Sequence, residues 1–114
     1  MSTIESLNAH NFHHEIEETA GVSLVFFSHA LCGSCRGWKQ LLQSYSSAYD
    51  DIKIFEVDAE SEMALTNEFE VFHLPALFLY KDGQFHAPFE SIASVDEINQ
   101  NIRRLLKLPA REMP

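Results

Sequence analysis

The sequence predicts an α/β fold: a three-layer α/β/α sandwich with helices on both faces of a mixed central sheet. Three observations carry this reading. Short runs of β-forming residues alternate along the chain with apolar stripes at helical spacing, the pattern that builds a parallel sheet centre. The turn Asp82-Gly83 sits between the last two strand-like runs, so an antiparallel hairpin joins the parallel centre at its edge. The length of 114 residues suits one domain over residues 1–114, and 46% hydrophobic content with nine Phe, three Tyr and one Trp can fill its core.

The elements follow in order. Residues 3–7 read as a short first strand. A helix is expected over residues 9–19, with Phe12, Ile16 and Ala20 on one face and Gly21 ending it. Val22 to Ser28 is an apolar run of β-formers, the signature of a buried strand. The next helix carries the stripe Trp38, Leu41, Leu42, Tyr45 and Tyr49, with Lys39, Gln40, Gln43 and Ser46 on its wet side. Ile52 to Val57 gives another strand, ending at Asp58. Ser61 to Phe69 gives a helix in which Met63, Ala64, Leu65 and Phe69 are available to pack. Ala76 to Tyr80 is an apolar strand that leads into the Asp82-Gly83 hairpin. Its partner contains Pro88, which lacks a ladder donor and belongs at a sheet edge. Ser94 and Glu97 form a capping box for a last helix, striped by Val95, Ile98, Ile102, Leu105 and Leu106. Residues 108–114 are a short tail.

Charge narrows the function. Acidic residues outnumber basic ones 17 to 8, for a net charge of -9 with His neutral. A surface of that sign repels phosphate backbones and anionic lipid, so neither nucleic acid nor a membrane is expected as partner. The longest apolar run, Leu24 to Phe27, is too short to span a bilayer, and Met1 to Glu5 lacks the pattern of a secretory leader. The expected compartment is the cytoplasm.

The two cysteines stand in Cys32-Gly33-Ser34-Cys35. A bridge between them closes a tiny loop and restrains the unfolded chain little, so stabilising the fold is a poor reason for the pair. Closely spaced cysteines in a reducing compartment are more often redox-active or metal-bound. Zinc would need four N or S ligands, and His29 or His73 would have to complete a site begun by a single pair. The motif follows a buried strand and opens a helix. There the first cysteine meets unpaired N–H groups and the positive end of the helix dipole, which favour its thiolate. The second lies one turn further in, able to displace the product from a mixed disulfide.

With these elements in place, the chain resembles the thioredoxin family over roughly residues 3–107. The likeness rests on the strand Leu24 to Ser28, Cys32-Gly33-Ser34-Cys35, the strand end Val57-Asp58, Leu74-Pro75, and the hairpin Lys81-Asp82-Gly83. It implies a thioredoxin fold and a thiol–disulfide oxidoreductase, with Cys32 as nucleophile and Cys35 as resolving thiol. It also implies a cis Pro75 beside the cysteines and a substrate contact made by Leu31, Gly33, Ser34, Leu74 and Pro75. The Leu74 backbone would pair with an extended protein substrate. Protein disulfides are the expected substrates, a thiol or a reductase the electron donor. No cofactor or metal is expected beyond the Cys32/Cys35 pair itself.

The sequence departs from the family at four places. Leu31 stands where an aromatic residue usually precedes the first cysteine, and Ser34 where proline is usual. Phe26 replaces the aspartate buried under the second cysteine. No glycine appears in Phe89-Glu90-Ser91 after the hairpin. Without that aspartate, deprotonation of Cys35 should be slow near neutrality, with water, His29 or His73 as remaining acceptors. A second reading therefore stands beside the enzyme: a non-catalytic client-binding or adaptor module whose cysteine pair is slow or vestigial. His29 is expected on a wet loop, His73 on the same surface with Phe72, and Trp38 in the core. His10, His13 and His14 are expected on a helix surface, and Glu15, Glu17 and Glu18 on a solvated face.

Overall fold

The computed structural model describes residues 4–114. Nine elements follow one another: β1 (Ile4–Leu7), α1 (Phe12–Glu17), β2 (Val22–Ser28), α2 (Gly33–Ala48), β3 (Ile52–Asp58), α3 (Met63–Glu68), β4 (Ala76–Lys81), β5 (Gln84–Phe89) and α4 (Val95–Leu106). The sheet order is β1-β3-β2-β4-β5. β1 and β2 run parallel to β3, whereas β4 runs antiparallel to β2 and to β5. Thr3, assigned by sequence to the first strand, lies outside the described residues.

Alternation along the strands divides the core into two layers. Leu24, Phe26, Ile52, Ile54, Leu77 and Leu79 face α2 and α4, meeting Cys35, Leu42, Tyr45, Ile98, Ile102 and Leu105. Val25, Phe27, Phe55, Val57, Phe78 and Tyr80 face the other way, onto Phe12 and Ile16 of α1 and Leu65 and Phe69. Trp38, Leu41 and Tyr49 pack against the first layer as the stripe requires, though only half-buried. Tyr45 is fully buried, and its hydroxyl donates to Asn99 Oδ1 at 3.1 Å, joining α2 to α4; burial pushes its pKa up to about 12. α4 opens at Ser94 as expected, its hydroxyl accepting from the Glu97 N–H, but the Ser94 N–H donates to the Ile92 carbonyl rather than to the Glu97 side chain, so half of the box forms.

Two helices are shorter than their periodicity suggests. α1 starts only at Phe12, because Asn8 Oδ1 accepts from the N–H groups of His10 and Asn11 and holds that stretch in a turn. At its far end the Thr19 hydroxyl bonds back to the Glu15 carbonyl, and Ala20 is exposed rather than on the apolar face. α3 starts at Met63, because Asp58 Oδ1 accepts from the N–H groups of Glu60 and Ser61 and makes a turn there. Met63 and Ala64 are exposed; only Leu65 and Phe69, one turn apart, reach the core.

The β4–β5 hairpin turns on Asp82 and Gly83, both at positive φ (50° and 80°), as a two-residue primed turn requires. Asp82 also anchors it to the loop before β2, donating its N–H to the Gly21 carbonyl and accepting from the Gly21 N–H. A Cβ at Gly83 would stand 2.7 Å from the Glu17 carbonyl oxygen and 2.9 Å from the Glu17 Cα. Gly83→Ala therefore combines an unfavourable φ with a backbone clash, and should cost more than about 1 kcal/mol in urea denaturation. A loss within error would mean that α1 moves aside freely. β5 is an edge strand, as Pro88 requires, and the Arg111 N–H of the tail donates to the His86 carbonyl on it.

Candidate active site

The α2 N-terminus holds the cysteine pair. Cys32 is its N-cap, with extended backbone (φ -85°, ψ 108°), and its Sγ accepts from the Cys35 N–H at 3.2 Å. Its own N–H donates to the His29 carbonyl at 2.9 Å, which ties the loop after β2 to the helix start. Cys32 and Cys35 are joined as a disulfide, their Cα atoms 5.3 Å apart. Cys32 is half-buried, whereas Cys35 is only 3% exposed and belongs to the core layer that includes Phe26.

Residues around the pair divide into two groups. Leu31 projects from the loop at 89% exposure, and Gly33 and Ser34 are exposed beside it, with the Ser34 hydroxyl 3.6 Å from Cys32 Sγ. Leu74 packs against the layer that holds both cysteines, and the Leu74–Pro75 peptide is cis. Pro75 lines a groove of about 430 Å³ with Phe72, His73 and Phe89. His73 is exposed there and does not line the cleft behind the cysteines.

That cleft, of about 520 Å³, is lined mostly by polar and charged residues, and sequence reasoning did not anticipate it. Ser28, His29, Cys32, Cys35, Arg36, Lys39, Glu56 and Asp58 line it. Glu56 lies directly across from Phe26 in the parallel ladder and so faces α2. One of its carboxylate oxygens accepts from the Ser28 hydroxyl at 2.7 Å, and the other meets Lys39 Nζ at 3.0 Å. His29 is on the loop after β2 as expected, but its side chain is not wet. Its side chain is mostly buried, Nε2 lies 2.8 Å from Glu60 Oε2, and Nδ1 stands 3.9 Å from Asp58 Oδ1. The signal was present in β3: if Ile52 and Ile54 face α2, alternation puts Glu56 and Asp58 on that face too. His10, His13, His14 and His73 are exposed, His13 pairing with Glu68 and His14 with Glu18, whereas His86 is buried on β5 with its Nε2 2.7 Å from the Leu105 carbonyl oxygen.

A strand-loop-helix unit with both sulfurs at the helix start, inside this strand order, is the arrangement that the motif comparison anticipated. The sequence profile of thioredoxin matches residues 3–104. The chain belongs to the thioredoxin family. Over 93 residues it is 37% identical to thioredoxin domain-containing protein 2 of Mus musculus, an alignment that takes in 80% of this chain and 18% of that protein. The corresponding rat protein is covered to 17%, so the chain spans less than a fifth of the length of these two relatives. A thioredoxin of Staphylococcus saprophyticus is 32% identical over 75 residues, covering 65% of this chain and 70% of that one. Among solved structures, oxidised mitochondrial thioredoxin 3 of Saccharomyces cerevisiae matches with a TM-score of 0.76 over 89% of this chain and 94% of that one. At 24% identity, that likeness speaks for the thioredoxin fold.

Proposed function

We propose that this thioredoxin-family chain is a thiol–disulfide oxidoreductase that reduces or exchanges protein disulfides in the cytoplasm. One observation carries the reading: the two cysteines form a closed pair at a helix N-terminus, one half-exposed and one buried. In the reduced form the Cys32 thiolate attacks a substrate disulfide, favoured by the N–H groups and dipole of α2. A mixed disulfide forms and the first substrate thiolate leaves. Cys35 then attacks Cys32 Sγ, closing the internal disulfide and releasing the second substrate thiol. Electrons return from an external thiol or a reductase.

Leu31, Gly33, Ser34, Leu74 and Pro75 are proposed as the surface that an extended substrate segment touches. The exposed Leu31 supplies apolar contact where a charged residue would repel a hydrophobic segment. The test is dithiothreitol-driven insulin reduction. Catalytic amounts of the protein should bring insulin precipitation forward relative to dithiothreitol alone. Precipitation that follows the dithiothreitol control would instead favour the adaptor reading, in which the fold binds clients and the pair is idle.

A further inference from the structure

One nitrogen on the cleft has no partner. Glu60 Oε2 lies 2.8 Å from His29 Nε2, and a carboxylate can only accept, so Nε2 carries a proton; in the neutral form of the ring Nδ1 is then the nitrogen with the free lone pair. Nδ1 is buried and hydrogen-bonds nothing; among the described residues only Ser23 Oγ shares that condition. Asp58 Oδ1 faces it from 3.9 Å, already held by the N–H groups of Glu60 and Ser61. A polar atom kept buried and unpaired is costly, and its retention in a cleft shared with both sulfurs calls for a use.

Several neighbours are already engaged or cannot take a proton. Glu56 has both oxygens engaged, by the Ser28 hydroxyl and the Lys39 ammonium. Glu62 Oε1 accepts from the Ala9 N–H. Arg36 and Lys39 already carry their protons. Phe26, in the same core layer as Cys35, cannot take one.

We infer that His29, oriented by Glu60, accepts the Cys35 proton when the mixed disulfide is resolved, directly or through one water in the cleft. The inference rests on the dithiol reading above. Cys35 gives its proton to Nδ1, and the resulting thiolate forms a bond to Cys32 Sγ. The bond from Cys32 to the substrate sulfur breaks, and its electron pair leaves with that sulfur. The cysteine pair is thereby oxidised by two electrons and the substrate reduced; the imidazolium then returns the proton to the departing thiolate. While it holds the proton, Nδ1 can pair with Asp58. The charged groups around the ring are thus Asp58 and Glu60 at the end of β3 and just beyond, with Glu56, Arg36, Lys39 and Glu62 elsewhere on the cleft.

The reduced full chain, mixed with dithiobis(nitrobenzoate), releases one coloured thiolate when Cys32 is captured and a second when Cys35 resolves it. Stopped-flow absorbance separates the two phases. Near pH 7, His29→Gln should slow the second phase by about a hundredfold, the low end of general-base effects. The gap should narrow as the pH is raised, because a growing fraction of Cys35 is then thiolate without help from a base. Added imidazole should speed the second phase of a His29→Ala variant. An unslowed second phase in His29→Gln near pH 7 overturns the inference. So does a slowing that is equal at every pH and unrelieved by imidazole, as a merely structural role would give. The pH-dependent loss appearing in Glu56→Gln in place of His29→Gln also overturns it. A native protein that releases only the first equivalent would fail differently, since the dithiol reading itself would then be wrong.

Discussion

Cys32→Ser should reduce insulin no faster than dithiothreitol alone, while Cys35→Ser should accumulate mixed disulfides through Cys32. The asymmetry follows from where the helix puts each sulfur. Cys32 caps α2, half-exposed, with the N–H groups of the first turn behind it, so its thiolate is both favoured and reachable. Cys35 is one turn further in and almost wholly buried, so an external disulfide cannot reach it, but a disulfide already on Cys32 can. Removing Cys32 therefore removes the first step, and removing Cys35 removes only the second. Both variants should stay folded, since the bridge closes too small a loop to constrain the unfolded chain much. Mass spectrometry after incubation with insulin reads the adducts, and alkylation of the reduced native protein near neutral pH should label Cys32 first. Faster labelling of Cys35, or a Cys35→Ser variant that captures nothing while the native protein reduces insulin, would reverse the roles.

What could be read from the sequence follows the strength of each local signal. β2, β4 and the hairpin were legible because an unbroken apolar run and an Asp-Gly turn admit few other structures. α4 was legible because a capping box and a five-residue stripe agree on one start and one face. The cysteine site was legible because its chemistry depends on a fixed spacing at a helix start. α1 and α3 were overextended because Asn8 and Asp58 divert their first turns with side-chain hydrogen bonds, which periodicity does not register. The burial of the His29 side chain is hidden from the sequence for a different reason. Its partners Asp58 and Glu60 are distant in sequence and reach it only because β3 lies beside β2. A polar cleft assembled from two strand ends and a helix is a tertiary object, and no window along the chain contains it.

Phe26→Ala should destabilise the protein by about 3–5 kcal/mol, a large part of the roughly 5–15 kcal/mol that holds a domain together. The ring is fully buried in the centre of the sheet, level with Glu56 on one side and Leu77 on the other, in the layer that contains Cys35 and Leu42. Its neighbours on β3 and β4 are fixed by ladder hydrogen bonds, so they cannot collapse far into the space it leaves. Phe26→Leu, which keeps most of the volume, should cost less than about 1.5 kcal/mol. Phe26→Asp should cost at least as much as the alanine variant, because it adds a carboxylate to an apolar layer. Urea denaturation of the oxidised protein measures all three. A loss below about 1 kcal/mol for Phe26→Ala would show that the layer repacks, and that this ring does not hold up the floor of the site. The aspartate variant also bears on the chemistry, provided it remains folded. A carboxylate beneath Cys35 offers its proton a second acceptor, so resolution of the mixed disulfide near pH 7 should depend less on His29 than in the native protein. Equal slowing by His29→Gln in both backgrounds would mean that an acid group at position 26 does not reach the thiol.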